Sequence, residues 1–246
     1  MKLYVILSIV TLALPFVVSI FLARTNRIPK QNLFLFLAIG AGGWIVAKIP
    51  KGLVILPFML ARGMPLQMEP AQFEKLLRTD LLFLVVAAVS AGVFEEVCKP
   101  LGLLLVKSRI SLANAAATGW IVGIGAGLLE SLNFLGGTAY RIVGPEQAAI
   151  SEVLHVPVER LFITFFHGAL TAIVVFMVMR RRYWVGLGVP ILIHFAIDLA
   201  MPYAQVHGII SDTWRVQGVI VVWVVLTCLL SARMTRLNSG RESGPV

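Results

Sequence analysis

Long apolar runs alternate with short polar connections along the whole chain. A helix needs about 20 mainly apolar residues to cross the hydrocarbon core of a bilayer. Such runs occur at 3–23, 33–60, 81–106, 113–136, 158–179, 184–203 and 216–233. The pattern therefore predicts an all-α, polytopic transmembrane helical bundle with about seven spans.

The first two runs need separate interpretation. The first is too long for a typical signal peptide and lacks a clear cleavage site, so we expect a retained span. The second is interrupted by Lys48, Pro50, Lys51 and Pro57. It predicts either one long span, or a span to about residue 47 followed by a re-entrant or interfacial segment.

The connections complete the predicted organisation. Residues 64–79 are expected to form a surface helix, and residues 137–157 a polar loop. We expect residues 1–236 to form a single integral membrane domain, with the core of the site within residues 80–205. Residues 237–246 are predicted to be a short disordered tail.

Composition supports the membrane class. Of the 246 residues, 59% are hydrophobic and 13% are charged, whereas soluble domains average about 25% charged residues. The net charge of +9 lies largely between the apolar runs. There it favours contacts with lipid head groups and a role in setting topology, so no nucleic-acid partner is expected.

The distribution of charge also predicts an orientation. With seven spans, the segments 24–32, 107–112, 180–183 and 234–246 share one face, which is rich in Lys and Arg and has a single acid, Glu242. The positive-inside rule places this face in the cytoplasm. We therefore expect a multi-pass protein of the cell membrane with its N-terminus outside and its C-terminus in the cytoplasm.

Six ionisable side chains lie inside four successive predicted spans. A charge at the bilayer centre costs about 2.5–3.5 kcal/mol on insertion scales, so such groups are functional candidates. The six are Glu95 and Glu96 on the third span, Glu130 on the fourth, His167 on the fifth, and His194 and Asp198 on the sixth. Their depths predict one buried, hydrated cavity among spans 3–6.

Spacing along the helices predicts partners for these groups. Lys99 follows Glu95 by four residues and Glu96 by three, so we expect it to neutralise both in part. Glu130 is predicted to support Lys99 or a histidine, with Asn133 beside it at i,i+3. His194 and Asp198 are i,i+4, which suits a carboxylate that orients an imidazole.

Small residues predict how two of the spans pack. On the fourth span, Gly119, Gly123 and Gly127 form a small-xxx-small pattern, which lets helix backbones approach closely. The fifth span carries a stripe of small and polar residues, namely Thr164, His167, Gly168 and Thr171.

Acids and histidines without a Ser or Cys nucleophile favour hydrolysis by an activated water. A carboxylate takes a proton from water and passes it to the leaving amine, while donors stabilise the oxyanion. A zinc ion held by Glu95, His167 and His194 is an alternative. The HExxH spacing is absent and Lys99 places a cation beside the acids, so we favour a mechanism without a metal or other cofactor.

Four motifs occur in order on these spans: EEVCK, GIGAGLLESLNF, FFHGALT and HFAID. Together they resemble the intramembrane peptidase clan of type II CAAX prenyl endopeptidases (CPBP), and within it most of all the YhfC-type membrane peptidases. The EExxK form is also similar to the PrsW proteases. The resemblance covers roughly residues 80–205.

The resemblance implies a set of catalytic residues. Glu95 would be the base with Glu96 as its partner, His167 would position the water, and His194 with Asp198 would form the oxyanion site. It implies a membrane protein or a lipidated peptide as substrate.

The chain departs from the prenyl-protease pattern at three positions, one of which is Ile163, where the pattern usually has Phe. That pattern has EExxxR, whereas Lys99 lies one position earlier, and it often has Asn where this chain has Asp198. These departures weaken the assignment to prenylated substrates more than the assignment to peptidases. Two other functions are alternatives: a proton-coupled transporter, although no inverted repeat is visible, and a non-catalytic membrane scaffold.

Overall fold

The computed structural model describes residues 1–63, 76, 80–143, 149–209 and 213–239. In these ranges all regular structure is helical, and seven helices are long and apolar enough to cross a membrane. The predicted all-α class is confirmed, and the number of long apolar helices equals the predicted number of spans, so the fold is compatible with a multi-pass membrane protein.

We label the seven long helices α1 to α7. They are Lys2–Thr25, Lys30–Ala61, Leu81–Leu101, Ala115–Val143, His155–Met179, Tyr183–Val206 and Thr213–Ser239. A 3₁₀ helix, Gly102–Arg109, continues α3, and a single-turn helix, Ile150–Val153, precedes α5.

The second apolar run forms one uninterrupted helix. Pro50 and Pro57 both lie inside α2, so the predicted alternative with a break near residue 47 is wrong. A proline removes one helical hydrogen bond. Transmembrane helices tolerate this loss because neighbouring groups and local adjustments satisfy the freed carbonyl.

The predicted loop at 137–157 is also largely helical. α4 continues to Val143, because its last turns carry apolar side chains that pack beside the start of α5. Tyr4 of α1 joins this cluster, and its hydroxyl donates a hydrogen bond to the carbonyl of Leu135 at 2.9 Å. Apolar burial thus extends the helix past the end of the predicted span.

Two further expectations fall wholly or partly outside the described residues. The predicted surface helix at 64–79 does so except for Leu76. In the predicted tail, residues 237–239 are the last helical residues of α7, and residues 240–246 lie outside the described part.

α5 is the central helix of the bundle. In its most apolar window 72% of the residues are buried, against 17% in α1. α5 packs closely on α4: a Cβ added to Gly123 would lie 2.1 Å from the carbonyl oxygen of His167, and one on Gly127 would lie 2.7 Å from Cα of Thr164. The predicted small-xxx-small packing is confirmed, and it fixes the backbone of His167.

α3 is held by α2 on one side and by α6 on another. A Cβ on Gly43 of α2 would lie 2.6 Å from Cα of Lys99, and one on Gly92 would lie 2.9 Å from the carbonyl oxygen of Ile191. α3 is preceded by its N-cap residue Asp80, whose carboxylate accepts a hydrogen bond from the backbone N–H of Phe83 at 2.9 Å. This N-cap satisfies one of the free donors of the first turn.

Three basic connections lie at the same end of the bundle. A buried cluster joins Ala23 and Ile28 to Leu103 and Met177. A hydrogen bond of 2.9 Å from Arg109 Nη1 to Asn32 Oδ1 links two of the connections directly. The side of the membrane on which this basic end lies stays a prediction.

Candidate functional site

A cavity of about 270 Å³ lies among α2 to α6. Eight of the lining residues have charged or imidazole side chains, and three have apolar side chains. The polar residues are Lys48, Lys51, Glu95, Glu130, Arg160, His167, His194 and Asp198. Five of the six ionisable residues singled out in the sequence therefore line one cavity, and the sixth, Glu96, is not among the lining residues.

Glu96, Lys99 and His167 form what we call the inner cluster. They are 0%, 0% and 1% exposed. Glu96 and Lys99 form an ion pair across one turn of α3. The Lys99 ammonium also contacts His167 Nδ1 at 2.8 Å. The cluster thus ties α3 to α5 through charged groups shielded from solvent.

His167 uses both ring nitrogens. The Lys99 ammonium can only donate, so Nδ1 of His167 accepts and Nε2 carries the proton. Nε2 lies 2.7 Å from Glu130 Oε2 and donates to that carboxylate. The imidazole is therefore held between a cation and an anion, with no ring nitrogen left over for a further ligand.

Within the described part of the chain, His194 forms a hydrogen bond through one ring nitrogen only. Its Nδ1 lies 2.7 Å from Glu96 Oε1, so Nδ1–H donates to that carboxylate. Nε2 faces the cavity, 3.5 Å from Asp198 Oδ2 and 3.9 Å from Glu95 Oε2. Glu96 therefore orients His194 so that Nε2 is presented to whatever enters the cavity.

Glu95, Lys48, Lys51 and Asp198 form the outer cluster. The Lys51 ammonium donates to Glu95 Oε1 at 2.7 Å, and the Lys48 ammonium lies 3.8 Å from the same oxygen. The side chains of Lys48 and Asp198 are 45% and 37% exposed, whereas Glu95 is 6% exposed. The outer cluster thus has a buried carboxylate and more accessible groups around it.

The structure corrects the prediction that Lys99 neutralises both neighbouring acids. Across the described ranges, Lys99 forms an ion pair with Glu96 and not with Glu95, which is paired from α2 by Lys51 and Lys48. Consecutive residues of an α-helix point about 100° apart. The two adjacent glutamates therefore face different helices and acquire different countercharges.

Glu130 contacts a histidine, as its position suggested, and it has a second partner. Arg160 Nη1 donates to Glu130 Oε1 at 2.9 Å. Arg160 also pairs with Glu159, which in turn accepts from Gln217 Nε2 of α7 at 2.9 Å. The polar network therefore reaches from α4 through α5 to α7.

Asn133, the other predicted supporting residue, is exposed and does not line the cavity. It lies one turn beyond Glu130, on the exposed side of α4. The structure therefore does not bring Asn133 to the cavity.

Sequence reasoning missed the three basic residues of the cavity, Lys48, Lys51 and Arg160. In the sequence, the two lysines interrupt an apolar run. Applied to α2, the argument from the cost of intramembrane charge would have singled them out together with the acids that they pair with.

No protein-family model matches the chain, and the searches of curated proteins and of solved structures give no match either. The resemblance to the CPBP clan and to YhfC-type peptidases therefore stays a prediction based on the four motifs.

Proposed function

We propose that this protein is a membrane-embedded peptidase in which Glu95 activates a water for attack on a peptide bond. The arrangement of His194 carries the proposal: Glu96 holds Nδ1, and Nε2 faces Glu95 Oε2 across 3.9 Å. That separation is too long for a direct hydrogen bond and suits one water bonded to both groups.

The proposed reaction needs one proton acceptor and one oxyanion donor. Glu95 takes a proton from the water as the oxygen attacks the carbonyl carbon, and it returns that proton to the leaving amine. In its imidazolium form His194 keeps Nδ1–H on Glu96 and donates Nε2–H to the oxyanion that forms on the carbonyl oxygen. Asp198 Oδ2, 3.5 Å from Nε2, stabilises that positive charge. Glu96 positions His194 without touching the substrate.

His167 has a different role in this proposal from the one that the family resemblance implied. Both of its nitrogens are engaged, by Lys99 at 2.8 Å and by Glu130 at 2.7 Å. We therefore assign it to holding α3, α4 and α5 in register, and the water is left to Glu95 and His194.

The donor set fits a divalent metal poorly. One ligating atom each from Glu95, His167 and His194 can be found within 4.8 Å of one another. However, His167 could bind an ion through Nε2 only by moving its proton to Nδ1, where the Lys99 ammonium already donates. Lys51, 2.7 Å from Glu95, adds a further cation beside the carboxylate ligand. These contacts support the metal-free mechanism.

Proton-coupled transport is a second candidate, favoured by the continuity of the polar network. Contacts of 2.9 Å or less connect His194, Glu96, Lys99, His167, Glu130 and Arg160 in an unbroken sequence. Such a chain of ionisable groups is the usual basis of a proton relay. Proton flux into proteoliposomes without proteolysis would favour this function.

The test is cleavage of a peptide library by the purified full-length protein in liposomes, with and without a chelator. We expect cleavage that the chelator leaves unchanged and that is lost in His194→Ala. A chelator-sensitive activity restored by zinc would contradict the metal-free mechanism. Cleavage that persists in both His194→Ala and Glu95→Gln would contradict the proposed function.

We also propose where the protein lies in the cell and which substrates it cleaves. We place the protein in the cell membrane with its basic end in the cytoplasm, because that end collects the arginines at 180–182 and those before α2. Its substrates would be membrane proteins or lipidated peptides, which reach a cavity among α2 to α6 from the bilayer.

A further inference from the structure

The two lysines of α2 give one corner of the cavity a surplus of positive charge. Lys48 and Lys51 are three residues apart on α2, and the ammonium groups of both form ion pairs with the same oxygen, Oε1 of Glu95. Among the described residues, Glu95 is the only acid within 4.0 Å of either ammonium. Two cations therefore share one anion, and a second anion can bind there.

The other cation of the cavity is not free in this way. Arg160 is already paired with both Glu130 and Glu159, and it stacks on the ring of Phe134 at 4.2 Å. The surplus charge is thus confined to the α2 corner.

Lys48 is the more accessible of the two lysines. Its side chain is 45% exposed, against 18% for Lys51. Its ammonium lies 3.9 Å from the centroid of the Trp44 ring, a contact that holds it on the cavity side of α2. Lys48 can therefore meet an incoming anion first, and Lys51 can then hold it beside Glu95.

We propose that Lys48 and Lys51 form an anion subsite that binds a carboxylate of the peptide substrate close to the bond that is cleaved. The inference rests on the proposed peptidase function and names its substrate class, namely apolar peptides with an acidic group near the cleavage point. That group is an Asp or Glu side chain or the chain terminus.

The position of the subsite limits how far the acidic group lies from the cleaved bond. Lys51 is in direct contact with Glu95, the proposed base, and an extended peptide advances about 3.3–3.6 Å per residue. A carboxylate bound between the two lysines therefore belongs to a residue about one to three positions from the cleaved bond. Binding would also draw Lys51 away from Glu95, which frees that carboxylate to act on water.

The test compares binding and cleavage of paired apolar peptides that differ by one Glu-to-Gln change within three residues of the cleaved bond. The full-length protein in phosphatidylcholine liposomes is compared with Lys51→Met and with Lys48→Met/Lys51→Met. Lys107→Met is the matched control, because Lys107 is an exposed lysine on the 3₁₀ helix at the basic end. Lys51→Arg keeps the charge.

We expect the wild type to bind the acidic peptide about tenfold more tightly than the neutral one, which equals about 1.4 kcal/mol. The double variant should lose this preference, whereas Lys107→Met and Lys51→Arg should keep it. A preference that survives in the double variant overturns the subsite. So does competition by phosphatidylglycerol vesicles together with indifference to the peptide charge, since the anion would then be a lipid phosphate.

Binding is measured separately from turnover so that the two proposals can fail independently. If no peptide is cleaved but the charge preference exists and depends on the lysines, the subsite stands and the peptidase function fails. If peptides are cleaved with equal efficiency whatever their charge, the function stands and the subsite is overturned.

Discussion

The inner and outer clusters each pair a glutamate with a lysine, but only the outer pair lies on the wall of the cavity. In the inner cluster, Glu96 and Lys99 are fully buried and both bind a histidine. In the outer cluster, Glu95 and Lys51 form an ion pair of 2.7 Å on the wall of a cavity, beside half-exposed Lys48. Glu95 and Glu96 are adjacent in the sequence, yet they belong to different clusters.

We infer from this contrast that the inner cluster positions the helices and that the outer cluster takes part in the reaction. A charge buried away from water is tolerated only when it is paired and hydrogen-bonded, so the inner groups have little freedom to change partner or protonation during a reaction. The outer groups can exchange a protein partner for water or substrate. We therefore expect substitutions in the inner cluster to reduce stability and substitutions in the outer cluster to reduce activity.

The largest effect is expected from Glu95→Gln, which removes the proposed base while keeping the shape of the side chain. Cleavage should fall by about 10²–10⁴-fold, the usual contribution of a general base. Initial rates in liposomes measure this, and the fluorescence-detected unfolding midpoint shows whether the fold is intact. Asn133→Ala, at an exposed position outside the cavity, is the control and should leave both unchanged. If the rate loss in Glu95→Gln only matches a loss of folded protein, the expected difference between the clusters, activity for the outer and stability for the inner, is contradicted.

Lys99→Met tests the inner cluster through stability. It leaves the buried Glu96 carboxylate without its ion-pair partner, which should cost about 3–5 kcal/mol. Lys51→Met should cost about 1 kcal/mol or less, because Lys48 remains 3.8 Å from Glu95 and both face the cavity. Denaturant titration in detergent micelles gives both free energies of unfolding.

The double variant Glu96→Gln/Lys99→Met provides the internal check. Because it removes both charges, it should be more stable than Lys99→Met alone, with a coupling of about 0.5–3 kcal/mol. Equal losses of unfolding free energy for Lys99→Met and Lys51→Met would mean that the difference in burial between the clusters does not determine their contribution to stability.

A smaller effect is expected from Gly123→Ala, which tests the close packing of α4 against the backbone of His167 in the inner cluster. The new methyl group would lie 2.1 Å from the carbonyl oxygen of His167, so α4 and α5 must move apart. The expected cost is about 1–3 kcal/mol. Gly136→Ala, on the same helix with nothing within 4 Å of the added Cβ, should be neutral or stabilise by up to about 1 kcal/mol. Similar unfolding midpoints for the two variants would argue against the close packing of α4 on α5.

Sequence patterns could predict the helices and the contacts that lie within one helix. Run length gave the seven spans, and the glycine spacing on α4 identified the surface that packs on α5. The i,i+4 spacing of His194 and Asp198 correctly placed the two side chains near each other, at 3.5 Å. These predictions succeed because the geometry of a single helix fixes them.

Contacts between helices could not be obtained in the same way. Lys99 could reach either neighbouring acid by spacing alone, and only the packing of α2 against α3 brings Lys51 to Glu95. Asn133 shares an i,i+3 relation with Glu130, but the edge of the contact between α4 and α5 falls between them. One sequence does not reveal where such an edge lies.

The pairing of Lys51 with Glu95 has a consequence for how the protein is made. The two residues are separated by 44 positions, and a ribosome adds about 5–20 residues per second. Lys51 is therefore synthesised about 2–9 s before Glu95, and for that interval Lys48 and Lys51 of α2 are without the carboxylate that they share in the folded protein. Lys48 and Lys51 lie in the second half of α2, so their side chains can extend towards the nearer lipid head groups until α3 is in place. Biogenesis of α2 would thus depend on the arrival of α3, and a chain truncated before residue 95 should be a substrate for membrane quality control.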